Sequence, residues 1–387
     1  MFRDHYLEKI KSRFNVNSIV ALLGPRQCGK TTLARNYIQS KNIPSENYFD
    51  LEDPIDLVRL ENPQTALSLL SGLVVIDEIQ RVPEIFPILR VLVDRSRNNL
   101  QLLILGSASR ELIKQSSESL AGRISYIQLT PFSLFELENS FDLSRLWYRG
   151  GYPRSFLAES DKESVLWRKD YIRTFLERDL IALGFNVSPQ RLRKFWMMLT
   201  AYHGGIFNAS ELGKSLQQNY KTIQHYVEIL QGTFMVRVLS PWFENISKRQ
   251  VKSPKIYFRD SGLFHTLLNI NSFSDMIHHV KLGASWEGFA LEEIIRYYDV
   301  DDEDCYFWAT HGGVELDLLL FKDGKKLGFE FKYSDAPKLS LSMRASIKSL
   351  DLDRLTIVYP GDKNVQLDEK IYLLGLKHIS REMMPYE

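Results

Sequence analysis

The chain has 387 residues, 44% hydrophobic and 25% charged, with a net charge of +1 and two cysteines. This length exceeds one ordinary domain and calls for two or three, and the composition excludes any long disordered span. The charge balance excludes a surface coated in positive charge but leaves room for a local basic groove, and two cysteines exclude a disulfide framework.

Residues 1–17 place Tyr6, Leu7, Ile10 and Phe14 on one face of a helix. This N-terminus is charged where a secretory signal needs an apolar core, and no apolar run approaches membrane length. A soluble, untargeted, cytoplasmic protein is expected. Ser18 to Leu23 reads as a buried strand and runs into Gly24-Pro25-Arg26-Gln27-Cys28-Gly29-Lys30-Thr31, which fits G-x-x-x-x-G-K-[ST] at every specified position. A helix follows through Thr32, Leu33, Tyr37 and Ile38. The two glycines let successive N–H groups point at phosphate oxygens, and the helix turns its positive end to the same charge. Lys30 would reach the β- and γ-phosphates of ATP, and the Thr31 hydroxyl would ligate Mg²⁺. The loop residues and Thr32 are therefore the expected nucleotide-binding set.

A second strand, Asn47 to Asp53, closes on acids, and a third, Leu73-Val74-Val75-Ile76, ends in Asp77-Glu78. Asp77 would hold Mg²⁺ through water and Glu78 would polarise the attacking water. A further strand, Leu100 to Leu105, enters Gly106-Ser107-Ala108-Ser109, where Ser107 or Ser109 would sense the γ-phosphate. Arg123 and Arg110 are candidates for stabilising charge on the transferring phosphoryl, within the chain or from a neighbouring subunit; a solvated arginine is the plain alternative for either. Ile124 to Leu129 adds one more strand before Pro131. Strands alternating with helices predict a parallel sheet covered on both faces.

Gly150-Gly151-Tyr152-Pro153 breaks the chain, and Ser164 to Leu183 turns helical on Leu166, Tyr171, Phe175, Leu176 and Leu180, with Arg173, Glu177, Arg178 and Asp179 as a solvated face. Two short helices, Ser210 to Leu216 and Tyr220 to Leu230, are parted by a polar turn and followed by a strand from Phe234 to Leu239. This is the shape of a winged helix-turn-helix, whose second helix would offer Lys221, Gln224 and His225 to a DNA major groove. The footprint lacks arginine, so a packing or subunit-contacting role stands beside DNA contact. Lys248, Arg249, Lys252 and Lys255 would add phosphate contacts or form a solvated linker.

Beyond Lys281 the charges fall into a second pattern. Glu287 lies on a helix opened by Gly283, Asp317 sits midway along the strand Val314 to Phe321, and Glu330 and Lys332 share one face of the strand Leu327 to Lys332. Charges in the middle of apolar strands need a partner or an ion. Asp317 and Glu330 would share a divalent cation, Mg²⁺ or Mn²⁺, with Glu287 completing its shell and Lys332 positioning or deprotonating the attacking water. A Glu330–Lys332 ion pair, or exposure on an edge strand, is the alternative.

On these residues the chain resembles a family of bacterial and archaeal AAA+ type P-loop ATPases whose C-terminal part is similar to the restriction-endonuclease-like PD-(D/E)xK fold. The resemblance runs through Gly24 to Thr31, Asp77-Glu78, Leu120 to Arg123, Pro131 to Ser133, Gly150 to Pro153, Tyr257 to Leu263, and then Glu287, Asp317, Glu330 and Lys332. Asp317 follows Leu316 where the nuclease pattern has proline. The resemblance implies ATP hydrolysis with an attached DNA-related domain. The expected architecture is α/β, with an AAA+ type P-loop domain over 1–140, a helical and winged-helix domain over 141–245, and a PD-(D/E)xK nuclease-like domain over 246–387. The expected function is a Mg²⁺-dependent ATPase that couples nucleotide state to a DNA-acting, nuclease-like half. An ATP-driven switch with a catalytically silent rear half, or a transcription regulator whose winged helix reads a site, are the alternatives. ATP, DNA and further copies of the chain are the expected partners.

Overall fold

The computed structural model describes residues 3–41, 43–95, 99–107, 116, 118–137, 142–245 and 249–379. The chain forms two compact units, Met1–Pro131 with Gly232–Phe234, and Phe132–Gln231 with Met235–Glu387.

The first unit is built on a five-stranded parallel sheet. Its elements are α1 (Asp4–Phe14), β1 (Ile19–Gly24), α2 (Lys30–Lys41), β2 (Tyr48–Asp50), β3 (Leu73–Asp77), α3 (Phe86–Arg95), β4 (Gln101–Ser107) and β5 (Ile124–Gln128), with strand order β2-β3-β4-β1-β5. Continuous apolar runs are what a strand with both faces covered requires, and alternation then divides each run between two cores. Ile19, Ala21, Leu23, Val74, Ile76, Leu102 and Ile104 face the side of Phe86, Leu89 and Leu92 on α3. Val20, Leu22, Val75, Leu103 and Leu105 face the side of Tyr6, Ile10 and Phe14 on α1 and Leu33 and Tyr37 on α2. In a parallel sheet all C-terminal strand ends lie on one edge. The register pairs Gly24 with Ser107 and Asp50 with Asp77 there.

The second unit begins with α4 (Leu143–Arg149) and α5 (Asp161–Thr174), and α5 runs on through one π-helical turn, Phe175–Asp179. Asp179, expected on a solvated face, is buried, because the wider turn rotates it inward. Then come α6 (Pro189–Leu199), β6 (Gly205–Ile206), α7 (Ala209–Leu216), α8 (Tyr220–Gly232), β7 (Val236–Pro241), β8 (Lys255–Phe258) and α9 (Ser261–Leu267). The remainder is α10 (Leu282–Tyr298), β9 (Cys305–Ala309), β10 (Glu315–Lys322), β11 (Lys325–Phe331), α11 (Leu341–Leu350), β12 (Arg354–Tyr359), β13 (Val365–Asp368) and β14 (Ile371–Gly375). The β7–β8 hairpin is antiparallel with β6 on its far edge, while β7 also pairs in parallel with β9 through Ser240 and Pro241. One nine-stranded sheet, in the order β13-β14-β12-β11-β10-β9-β7-β8-β6, therefore runs through the whole unit.

Buried charge ties α10 to this sheet. Arg237 on β7 donates to Glu292 of α10 and to Asp302, each at 2.5 Å, and Arg259 also pairs with Asp302. Burial alone would raise the Glu292 carboxyl, but Arg237, Arg259 and Arg296 outweigh it and hold the group below its ordinary value. Breaking such a pair leaves an uncompensated buried charge. Glu292→Ala should therefore cost about 3–5 kcal/mol in denaturant unfolding of the second unit's transition; a loss under about 1 kcal/mol would show that the network is dispensable.

Candidate nucleotide site and a second charged cluster

The loop after β1 closes tightly. A Cβ at Gly24 would meet the Leu129 carbonyl oxygen at 2.2 Å, and Gly29 adopts φ +101°, which side chains rarely take. Cys28 points back into the core, where its thiol donates to the Leu129 carbonyl at 3.7 Å and burial raises its pKa. Lys30, the first residue of α2, is buried, and its ammonium donates to the carbonyls of Gly24 and Pro25 at 3.1 and 2.9 Å. Pro25 is buried and Arg26 half-buried, whereas Gln27 and Thr32 are exposed.

The Thr31 hydroxyl donates to Asp77 Oδ2 at 2.7 Å, joining the start of α2 to the end of β3. Tyr48 donates to the same oxygen at 2.9 Å, and the Glu78 N–H donates to Asp77 Oδ1 at 2.9 Å. Burial raises the Asp77 pKa, while the Thr31 and Tyr48 hydrogen bonds and the charge of Lys30 pull it back. Glu78 sits at φ 56°, a left-handed conformation that turns its side chain off the strand line. Its pKa is raised by burial and opposed by Lys30 and Arg26. Gln80 bridges the two strand ends, donating to Glu78 and accepting from the Ser107 N–H at 3.3 Å. The buried Ser107 hydroxyl has no hydrogen-bond partner among the described residues.

Arg123 is not brought to this site within the chain. It precedes β5 and bonds to Ile19 at the start of β1, about five residues' rise, or roughly 16 Å, from Gly24. Its guanidinium is exposed and paired with Asp94 at 2.6 Å. Ser109, Arg110 and Lys248 lie outside the described residues.

The rear quartet does come together. Lys332 reaches Glu330 at 2.8 Å and Asp317 at 3.7 Å, and Asp317 Oδ2 accepts the Phe331 N–H at 3.0 Å. Lys255 reaches Glu287 at 3.5 Å and Asp317 at 3.8 Å, and pairs closely with Glu315; Tyr257 donates to Glu287 at 2.6 Å. Glu330 thus makes the ion pair weighed from sequence, but on β11, an interior strand and not an edge. Burial, then the Asp317 charge, pushes Glu287 up to about 7 and Glu330 up to about 8. Lys255, grouped by sequence with a basic linker, is buried on β8. Its carboxylate neighbours and Tyr257 overcome burial and hold its ammonium well above the ordinary value. Among the described residues, no three His, Cys, Asp or Glu side chains are arranged to hold a metal ion. No described helix is long and apolar enough to cross a membrane.

Sequence reasoning missed Tyr48, Gln80, Lys255, Tyr257 and Glu315. Lys255 and Tyr257 stood in the sequence as a basic-linker residue and as part of a family motif but not as members of this cluster, and Glu315 left a signal by lying two residues from Asp317 and so on the same strand face. Tyr48→Phe removes one donor from a buried carboxylate and should weaken Mg²⁺–ATP binding by about three- to tenfold in an equilibrium titration with a fluorescent nucleotide; an unchanged affinity would show that Tyr48 does not support Asp77.

Residues 16–138 match a family described as AAA domain, and 140–274 and 282–379 match two families described as domains of unknown function, DUF8612 and DUF4143. Uncharacterised proteins of Mycobacterium tuberculosis and Mycobacterium bovis are each 46% identical over 353 residues, spanning 91% of this chain and 79% of theirs. A Walker-type ATPase of Pyrococcus abyssi is similar at 15% identity and TM-score 0.44, over 69% of this chain and 95% of that one. The chain belongs to one family with the two mycobacterial proteins and carries an AAA-type P-loop ATPase domain.

Proposed function

We propose that the first unit binds Mg²⁺–ATP in the Gly24–Thr31 loop and hydrolyses it, and that nucleotide state governs the C-terminal half. The observation that carries this reading is the Thr31–Asp77 hydrogen bond of 2.7 Å beside the buried Lys30 ammonium. The donor set suits the ligand: a hydroxyl and a carboxylate for a hard cation, an ammonium for phosphate oxygens, and in Ser107 a buried hydroxyl awaiting an acceptor. Thr31 and Asp77 would hold Mg²⁺, which neutralises phosphate charge when bound. Lys30 would exchange the carbonyls of Gly24 and Pro25 for phosphate oxygens. Glu78 takes the proton of the attacking water, and Ser107 hydrogen-bonds the terminal phosphate. Arg123, remote in its own chain, acts only if a second copy presents it.

The C-terminal half supports a second reading, a nuclease-like fold with an attached winged helix over 141–245, directed at DNA. The convergence of Glu287, Asp317, Glu330 and Lys332 favours the fold. The helix pair α7–α8, with β6 and the β7–β8 hairpin, favours the winged helix, since Ile223, Tyr226 and Val227 are buried while Lys221 and His225 are exposed. Lys255 stands among Glu287, Glu315 and Asp317 and Lys332 pairs with Glu330, so ammonium groups already match these carboxylates and no metal-assisted step is built on them.

Lys30→Ala should abolish nucleotide binding, and Glu78→Gln should bind ATP yet turn over at least about 100-fold more slowly; parent-rate hydrolysis by Lys30→Ala would overturn the first reading. Lys221→Ala should weaken binding to every DNA sequence alike and lower the salt slope by about one, measured by fluorescence anisotropy. Unchanged affinity and slope would leave α8 a packing element.

A further inference from the structure

The charged cluster of the second unit has the oxygen donors of a divalent-cation site, yet its centre is already filled. Glu287 comes from α10, Glu315 and Asp317 from β10, and Glu330 from β11, so three elements deliver carboxylates to one place. Into this place β8 delivers Lys255, whose side chain is only 3% exposed. Its ammonium stands within ion-pair distance of Glu287, Glu315 and Asp317, while Lys332 spans Asp317 and Glu330.

We propose that Lys255 is the resident cation of this cluster, standing where a divalent metal ion would otherwise be shared, so that the C-terminal module folds without metal. Asp317 and Glu330 are buried and Glu287 partly so, while Glu315 reaches the rim of the cluster; buried carboxylates must be neutralised, and a buried ammonium is tolerated only when several of them surround it. A divalent cation needs carboxylate oxygens at about 2.0–2.6 Å on several sides. Here Lys255 already fills the space among them, in close contact with Glu315 and at 3.5 Å from Glu287 and 3.8 Å from Asp317, and Tyr257 donates to the same Glu287 oxygen that Lys255 meets. Lys255 lies outside the segment that supplies the carboxylates, on the hairpin that also pairs with β6, so the neutralising charge comes from the neighbouring part of the fold. The β7–β8 hairpin, joined to β9 by the sheet, is thereby fastened to β10 and α10 by charge.

The inference does not depend on the nucleotide reading, and its test contains no nucleotide. Mn²⁺ is titrated into the full-length protein and into Lys255→Met, with free Mn²⁺ read by electron paramagnetic resonance and folding read by thermal denaturation. Apart from weak binding at Thr31 and Asp77, which Asp317→Asn leaves untouched, the parent should bind no Mn²⁺ below about 1 mM, the weak end of protein cation sites. Lys255→Met should bind at least about tenfold more tightly, and Mn²⁺ should raise its melting temperature while leaving the parent's unchanged. Sub-millimolar binding by the parent that disappears in Asp317→Asn would overturn the proposal, as would a folded Lys255→Met that gains no affinity. Should Lys255→Met fail to fold under every condition, the parent and Asp317→Asn titrations decide the matter alone.

Discussion

One hydrogen bond, from the Thr31 hydroxyl to Asp77 at 2.7 Å, joins two parts of the first unit that are far apart in sequence. It exists because a parallel sheet brings all its C-terminal strand ends to one edge. The loop after β1, the acids after β3 and the serine after β4 become neighbours there without any need for the chain to bend back. The inner strands β1, β3 and β4 are buried almost throughout by apolar side chains, so polar groups gather at the C-terminal edge and are forced on one another. Lys30 turns onto the carbonyls of its own loop, Asp77 takes donors from Thr31, Tyr48 and the Glu78 backbone, and Gln80 spans Glu78 and Ser107. Thr31, Asp77 and Glu78 are thus held in place before a ligand arrives, whereas Lys30 must exchange its loop carbonyls for the ligand.

The second unit handles buried charge by a different arrangement. There the charges are matched within the protein, by Arg237, Arg259 and Arg296 around Glu292, Glu293 and Asp302, and by Lys255 and Lys332 around Glu287, Glu315, Asp317 and Glu330. These matched groups link the β7–β8 hairpin to the helix and strands that follow it. In the first unit, by contrast, the Lys30 ammonium donates to two carbonyls of its own loop and, among the described residues, the Ser107 hydroxyl has no partner, an arrangement that favours an incoming anion.

Much of the fold was legible in the chain because its signals are local. Strands β1, β3 and β4 lie on the continuous apolar runs, and the glycine loop sits between a strand and a helix as its pattern demands. Helices α7 and α8 flank the polar turn at Gln217, which takes the left-handed conformation. What was not legible depends on pairing between distant segments. Nothing near Tyr48 announces that its hydroxyl reaches Asp77, and Lys255 looks like one of several basic residues until β8 is seen to pass beside β10 and α10. Arg123 lies at the wrong end of its strand for a role within its own chain, a fact of strand direction that spacing does not carry. Asp179 was misread because a π-helical turn breaks the ordinary helical period.

The most direct test of the account is a crystal structure of the full-length protein with Mg²⁺ and a non-hydrolysable ATP analogue. The Lys30 ammonium should leave the carbonyls of Gly24 and Pro25 for phosphate oxygens, with Thr31 and Asp77 flanking one metal ion and the Ser107 hydroxyl turned to the terminal phosphate. A nucleotide seated elsewhere, or a Lys30 still bound to its own loop beside a filled site, would contradict it.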